Sequence, residues 1–169
     1  MKTLIHDLSE EEFKSIFTSI AKDITIISNN NKINKCIGCF GCWIKTPATC
    51  VIKDEYKDMG GIISQSEELI IISKCTYGGY SPFVKNVLDR SISYIHPYFT
   101  IREGKMHHKS RYKEKIKLNV FFYSDDVTSN EKETATKLVA AHGVNFNASS
   151  NQVHFYNTAE EIRGKIIWK

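Results

Sequence analysis

The chain has 169 residues, of which 41% are hydrophobic and 25% charged, and it carries a formal net charge of +4 at pH 7. These values are typical of a compact protein with a full core, and they exclude a disordered chain. Its apolar runs are far shorter than the roughly 20 residues that span a bilayer, which excludes a transmembrane helix.

Five apolar stretches of strand length recur along the chain and predict five β-strands. They cover residues 3–8, 24–28, 69–73, 117–124 and 152–157. The middle three are rich in Ile, Val and Phe with little alternation, as expected for strands that are covered on both faces. We therefore predict that these three are the central strands of a parallel sheet.

Helical patterns separate the predicted strands. Ser9 and Glu12 predict a capping box at the start of the first helix, which continues as an apolar stripe with Phe13 and Ile16. Further helices are predicted over residues 59–65, 82–94 and 131–142, and a last one opens at residue 158. Pro82 suits a first helical turn, where its missing N–H is not needed.

This alternation of strands and helices predicts a parallel sheet wrapped on both faces, because crossover connections between parallel strands are right-handed. With five strands in 169 residues, we expect a flavodoxin-like, doubly wound, three-layer α/β/α fold that forms a single domain over residues 1–169. Ligands of such sheets lie beyond the carboxyl ends of the strands. That rule indicates the loops at residues 6–9, 75–82 and 124–128.

Five cysteines are present, and four of them are clustered. Cys36, Cys39, Cys42 and Cys50 have the spacing C-x2-C-x2-C-x7-C. Four thiolates are what a [4Fe–4S] cluster requires, zinc can use the same ligands, and structural or redox thiols are the third interpretation. The first residues contain no apolar stretch typical of a signal peptide, so we expect a cytoplasmic protein with reduced thiols.

Two stretches resemble a known family. They are CIGCFGCW at 36–43, followed by TP at 46–47 and CVIKD at 50–54, and TYGGYSP at 76–82, followed by LDR at 88–90. Both are similar to the flavodoxin-fold family that includes NAD(P)H-dependent FMN reductases and iron–sulfur flavoproteins. The resemblance spans nearly the whole chain.

The resemblance implies an FMN-dependent oxidoreductase that transfers hydride from NAD(P)H to the flavin and on to a small-molecule acceptor. Because the cofactor carries this chemistry, no catalytic side chain is assigned. It also implies that one loop and the first helix cap bind the flavin. These candidate cofactor-binding residues are Ser9, Cys75, Thr76, Tyr77, Gly78, Gly79, Tyr80 and Pro82. Read from the residues alone, the same GGYSP run is also a tight strand-to-helix turn.

The first loop departs from the family pattern. Residues 6–12 read HDLSEEE, with no glycine and four carboxylates where a phosphate would rest. This departure predicts a weakened phosphate site, so that riboflavin rivals FMN in affinity. Two alternatives follow from the residues: an iron–sulfur electron-transfer flavoprotein, and a non-catalytic flavodoxin-fold protein that has lost its FMN phosphate site.

Residues 102–117 form a basic segment, with seven Lys or Arg residues against Glu103 and Glu114, a net charge of +5. The remainder is close to neutral, so we expect no nucleic-acid partner. Residues 96–115 are predicted to be a long irregular connection. Its basic side chains can bind the phosphates of an incoming nucleotide, with NADPH preferred over NADH. The interleaved aromatic residues favour instead a homodimer interface, formed by Tyr94, Tyr98, Phe99 and Tyr112.

Overall fold

The computed structural model describes residues 1–30, 32–102 and 104–168. Glu103 of the basic segment therefore lies outside the described residues. The strands are β1 (Lys2–His6), β2 (Ile24–Ser28), β3 (Glu68–Lys74), β4 (Ile95–Arg102), β5 (Lys105–Ser110), β6 (Lys117–Tyr123) and β7 (Ser150–Tyr156). Five of them form a parallel sheet in the order β2-β1-β3-β6-β7, which is the predicted flavodoxin-like topology.

Helices cover both faces of this sheet. They are α1 (Glu10–Ile16), α2 (Gly41–Ile44), α3 (Met59–Ser64), α4 (Pro82–Arg90) and α5 (Ser129–Asn145), with 3-10 helices at Ile92–Tyr94 and Ala159–Ile162. The larger core cluster lies under α3, α4 and α5, and a smaller one lies under α1 and the last 3-10 helix. In the part of the chain that the structure describes, every helix is too short or too polar to span a bilayer.

The assignment of the central strands was wrong in one respect. β2 lies at the edge of the sheet, and β1 lies between β2 and β3. The burial agrees with this order, because four of the five residues of β1 are buried and only one residue of β2 is. Apolar residues of a five-residue strand do not distinguish an edge from a centre, since an edge strand still packs against helices on its faces.

Two predicted helices differ from the observed ones. The helix predicted over residues 82–94 ends at Arg90, and Ser91 separates it from the 3-10 helix Ile92–Tyr94. The Oγ of Ser91 donates to the carbonyl of Leu88 at 2.7 Å, a side-chain bond to the backbone that is typical of helix ends. The helix predicted from residue 158 is only the 3-10 turn Ala159–Ile162. The predicted capping box at Ser9 is formed, and the structure shows a second one at Thr128.

The connection predicted to be irregular over residues 96–115 contains a β-hairpin. β4 and β5 pair antiparallel, with Phe99 opposite His108 and Ile101 opposite Met106. Directly paired residues share a face, so these four side chains lie on one face and their chain neighbours on the other. The sequence pattern missed the hairpin because Pro97 interrupts its first strand and its second strand consists mostly of basic and histidine residues without an apolar run.

The short helix α3 packs closely against the 3-10 helix Ile92–Tyr94. Gly60 makes this approach possible, since a Cβ at this position would lie 2.3 Å from Ser93 Oγ and 2.9 Å from Tyr94 N. Its neighbour Gly61 faces open space, with no atom within 4 Å of a Cβ. Gly60 therefore determines where the 3-10 helix lies above the sheet.

Candidate functional site

The carboxyl ends of β1, β3 and β6 meet at Asp7. One carboxylate oxygen accepts the backbone N–H of Lys74 at 2.9 Å, and the other accepts the hydroxyl of Tyr123 at 3.1 Å. Burial raises the pKa of the Asp7 carboxyl, and hydrogen bonds from its neighbours oppose that shift. The side chain thus occupies the switch point of the sheet, where open α/β sheets bind their ligands.

The start of α1 is closed by its own side chains. The backbone N–H of Ser9 donates to a carboxylate oxygen of Glu12 at 2.8 Å, and the N–H of Glu12 donates to Ser9 Oγ at 3.2 Å. Glu10 and Glu11 add two carboxylates in the same turn. The nearby His6 is buried, which lowers its pKa to about 4, so it is neutral at pH 7. This end of α1 does not fit the phosphate of FMN.

The loop after β3 is a two-residue turn. Thr76 and Gly79 exchange two backbone hydrogen bonds of 2.9 Å, and between them Tyr77 and Gly78 have φ angles of 50° and 72°. Positive φ at both central residues is the type I′ geometry, which glycine accepts without strain. At Gly78 a Cβ would also lie 2.9 Å from Thr134 Cβ, so the turn sits tightly on α5. The GGYSP run is thus a tight turn in this structure.

The structure places the candidate cofactor-binding residues of this loop in three environments. Cys75 is buried in the core, which raises the pKa of its thiol, and Tyr77 is 92% exposed at the tip of the turn. Thr76, Gly79 and Tyr80 line a cavity. Pro82 opens α4 beside Ser81, whose hydroxyl caps the helix. Ser9 lies apart in the capping box of α1. Flavin binding by these residues stays a prediction.

A cavity of about 560 Å³ lies between α4 and α5, and we call it the aromatic cavity. One wall is the Tyr80 ring, which stacks on the His142 ring at 5.4 Å between centroids and 5° between planes. Burial raises the pKa of Tyr80 and lowers that of His142, so both are neutral at pH 7. The apolar lining consists of Leu88, Ile92, Tyr94, Ile95, Leu138 and Phe146. This volume and lining fit a planar aromatic ring.

Sequence reasoning missed the wall of this cavity that comes from α5. Leu138, His142 and Asn145 recur at spacings of four and three, which places them on one helix face. A histidine that follows Leu138 on the same helix face was the available signal. Nothing in the sequence showed that this face stands away from α4 and leaves a cavity.

The four clustered cysteines line a second, small cavity of about 50 Å³, together with Arg90. Cys42 is buried, which raises the pKa of its thiol, whereas Cys36 and Cys39 are exposed. Among the described residues, no three His, Cys, Asp or Glu side chains are placed together to hold a metal ion. The structure therefore brings the four thiols to one cavity without a formed metal-ion site.

Arg90 holds the cysteine segment, residues 34–54, against α4. Its guanidinium is buried and donates to both carboxylate oxygens of Asp54 at 2.7 and 2.8 Å and to the carbonyl of Asn34 at 2.8 Å. The Arg90 guanidinium holds the pKa of the Asp54 carboxyl well below its usual range. Asn86, one turn earlier in α4, accepts the backbone N–H of Cys36 at 3.0 Å. Both ends of the segment are thus tied to one helix.

No family model and no curated protein matches the chain. Solved structures do match. They include an FMN-dependent NADH-azoreductase from Bacillus anthracis in complex with FMN, with 13% identity, a TM-score of 0.55, and 94% of this chain and 88% of that chain covered. An NAD(P)H:quinone oxidoreductase from Methanothermobacter marburgensis has 12% identity, a TM-score of 0.56, and 96% and 88% coverage.

A third similar structure is general stress protein 14 from Treponema denticola in complex with FMN, with 11% identity, a TM-score of 0.54, and 97% and 90% coverage. At these identities the likeness concerns the fold, and it covers nearly the whole of each chain. The strand order and the comparisons agree. The chain therefore has a flavodoxin-like fold, the fold of these solved structures.

Proposed function

We propose that this chain is an NAD(P)H-dependent flavin oxidoreductase that holds the flavin by its ring. The observation that carries the proposal is the aromatic cavity, which opens beside the Thr76–Gly79 turn at the carboxyl end of β3. The fold shared with structures that contain FMN supports it. A bound flavin would accept hydride from the nicotinamide and pass electrons on, so the protein's task is to bind and orient.

In this proposal, different residues of the aromatic cavity contact the flavin ring, exclude water and orient the ring. Tyr80 and His142 offer a flat, uncharged wall for a planar ring. Leu138 and Phe146 add apolar surface that excludes water. Thr76 and the other polar groups at the rim can fix the orientation of ring carbonyls by hydrogen bonds, which is how small-molecule sites combine apolar walls with few polar contacts.

We predict that riboflavin and FMN bind with dissociation constants within about tenfold of each other. The reason is that the start of α1 presents carboxylates and an internally bonded Ser9 instead of a phosphate cradle. Titrating the purified protein with each flavin and following quenching of flavin fluorescence measures both constants. FMN binding 100-fold or more tightly than riboflavin would show an efficient phosphate site and contradict this prediction.

A variant tests the location of the ring. In Gly79→Val the Cβ would lie 3.8 Å from Leu138 Cδ2, so its methyl groups narrow the cavity beside the turn. We expect both flavins to bind roughly tenfold or more weakly. Gly61→Val is the matched control, because that position in α3 faces open space. Unchanged flavin affinity in Gly79→Val would place the ring elsewhere.

A second candidate function is electron transfer through a thiolate-bound iron–sulfur cluster. The observation in its favour is that all four clustered cysteines line one cavity. Anaerobically prepared protein should then show visible absorbance together with iron and acid-labile sulfide. Colourless anaerobic protein without iron excludes this candidate.

We also propose that the protein is a homodimer. The partner surface is the apolar hairpin face, formed by Phe99, Ile101 and Met106, which are 59%, 76% and 72% exposed. It continues through ring contacts from Phe99 to His108 and from His108 to Trp43. Exposed apolar patches of this kind are typical of interfaces. The assignment of Tyr94 to the interface was wrong, because its side chain is buried in the core.

Phe99→Asp should convert the dimer to a monomer, because a carboxylate in the centre of an apolar interface loses its hydration without gaining a partner. Sedimentation velocity measures the change. Tyr98→Asp is the control, although the sequence pattern also assigned Tyr98 to the interface, because Tyr98 is as exposed as Phe99 but precedes it in β4 and so points to the opposite face of the hairpin. A monomeric wild type, or a dimeric Phe99→Asp variant, contradicts the proposal.

A further inference from the structure

A third cavity, of about 630 Å³, lies between the hairpin and α5, and we call it the basic groove. Its cationic side chains are Arg102 and Lys105 from the hairpin and Lys137 from α5, and its floor consists of small residues of α5. Among the described residues that line the groove there is no carboxylate, so the groove is suited to an anion.

The pairing of β4 with β5 explains why cationic side chains lie together in the basic groove. Arg102 is opposite Lys105 and Thr100 is opposite His107, so these side chains share the face opposite to the apolar hairpin face. Arg102 has a structural role, because its guanidinium donates hydrogen bonds to the carbonyls of Val144 at 2.9 Å and His108 at 2.8 Å. These bonds hold the groove open between the hairpin and the last turn of α5.

The remaining cations are available to a ligand. Lys105 is exposed and has no ion pair among the described residues. Lys137 pairs with Glu133 at 2.6 Å, but both side chains are more than 60% exposed. Exposed pairs of this kind contribute little, so a phosphate can displace Glu133 at small cost.

The basic groove adjoins the aromatic cavity. Asn145, the last residue of α5, lines both, whereas the consecutive residues His107 and His108 lie on opposite faces of β5 and line one each. A ligand with an aromatic ring at one end and phosphate groups at the other could therefore place its phosphates among the cations and extend past Asn145 to bring its ring beside the flavin that we propose for the aromatic cavity. Nucleotides have this construction. The start of α1 is a helix N-terminus, where phosphate groups commonly bind, but it is closed by Glu12.

We propose that the basic groove binds the phosphate groups of the nicotinamide nucleotide, so that the protein takes NADPH in preference to NADH. This inference rests on the proposed function, which supplies the nicotinamide nucleotide as reductant. The additional 2′-phosphate of NADPH brings about two further negative charges to Lys105 and Lys137. Charge-assisted hydrogen bonds to phosphate contribute enough for roughly tenfold or greater preference at low salt.

The experiment measures binding of NADP⁺ and NAD⁺ to the protein without added flavin, by calorimetry at two salt concentrations. We expect NADP⁺ to bind at least about tenfold more tightly than NAD⁺, and the preference to shrink as salt screens the groove. The double variant Lys105→Gln, Lys137→Gln should bind both nucleotides equally. Lys109→Gln is the control, because Lys109 is an exposed residue of the same strand and lies outside the groove lining.

Equal affinity for NADP⁺ and NAD⁺ in the wild type overturns the proposal, and so does a preference that survives in the double variant. If the double variant weakens FMN binding while leaving NADP⁺ unaffected, the groove holds the flavin phosphate and the proposal is also overturned. Riboflavin titrations separate this failure from that of the proposed function. Riboflavin carries no phosphate, so its binding tests the aromatic cavity alone.

Discussion

Replacing Arg90 with methionine is expected to lower the free energy of unfolding by about 3–5 kcal/mol, the usual cost of removing one partner of a buried ion pair. Methionine keeps much of the side-chain volume but leaves the Asp54 carboxylate buried without its cation. It also removes the donors to the carbonyls of Asn34 and Ile52. The cysteine segment would then lose its main attachment to α4. Thermal and urea unfolding measure the loss.

The control is Lys85→Met in the same helix. Lys85 forms an ion pair with Asp89, but these side chains are 66% and 44% exposed. Such a surface pair contributes little, so the expected change in the free energy of unfolding is under about 1 kcal/mol. If Arg90→Met were no more destabilising than Lys85→Met, the segment would be held by other contacts.

The pH dependence of the Arg90→Met effect gives a second check. In the folded wild type the pKa of Asp54 lies below its usual range. The ionised carboxylate therefore stabilises the fold at pH values above the pKa of the unfolded chain, which is about 3.9. This contribution is lost as the pH falls through the folded pKa. The difference in unfolding free energy between wild type and Arg90→Met should therefore be greatest near neutral pH and shrink below about pH 4. A difference independent of pH contradicts the ion-pair explanation.

Gly60→Ala is expected to destabilise the protein by about 3 kcal/mol, at the upper end of overpacking effects. The added Cβ would lie 2.9 Å from the backbone nitrogen of Tyr94, which cannot move without shifting the 3-10 helix. Because Ile92 and Tyr94 line the aromatic cavity, the same substitution should weaken riboflavin binding. Unfolding and flavin titration measure the two effects.

Gly61→Ala is the matched control for this substitution. Its Cβ meets no atom within 4 Å, and alanine is favoured over glycine inside a helix by roughly 0.5–1 kcal/mol. We expect this variant to be as stable as the wild type or slightly more stable. Equal behaviour of the two alanine variants would show that α3 and the 3-10 helix separate easily.

The fold could be predicted because local pattern and topology agree. Apolar runs such as β3 and β6 are buried on both faces, and the right-handed crossover rule leaves few arrangements for strands that alternate with helices. The capping box at Ser9 could be predicted because its partner Glu12 lies only three residues away. The position of β2 at the edge of the sheet could not be predicted from the sequence, since it depends on which strands pair and not on their amino-acid composition.

The cavities depend on contacts between distant parts of the chain. Tyr80 and His142 stack although 62 residues separate them, and no local pattern encodes that distance. The cysteine spacing was visible in the sequence, but its connection to the buried Arg90–Asp54 pair was not. The basic segment was recognised by charge, whereas the division of its hairpin into a cationic face and an apolar face depends on the strand register.

The hairpin is a ribbon only one strand-layer thick, and it carries the basic groove on one face and the apolar hairpin face on the other. A ligand that binds one face of the hairpin and restricts its motion also restricts the motion of the other face, because the same backbone hydrogen bonds hold both faces. Thermodynamic linkage makes the effect reciprocal. By whatever factor the nucleotide strengthens association of two chains, association must strengthen nucleotide binding by the same factor.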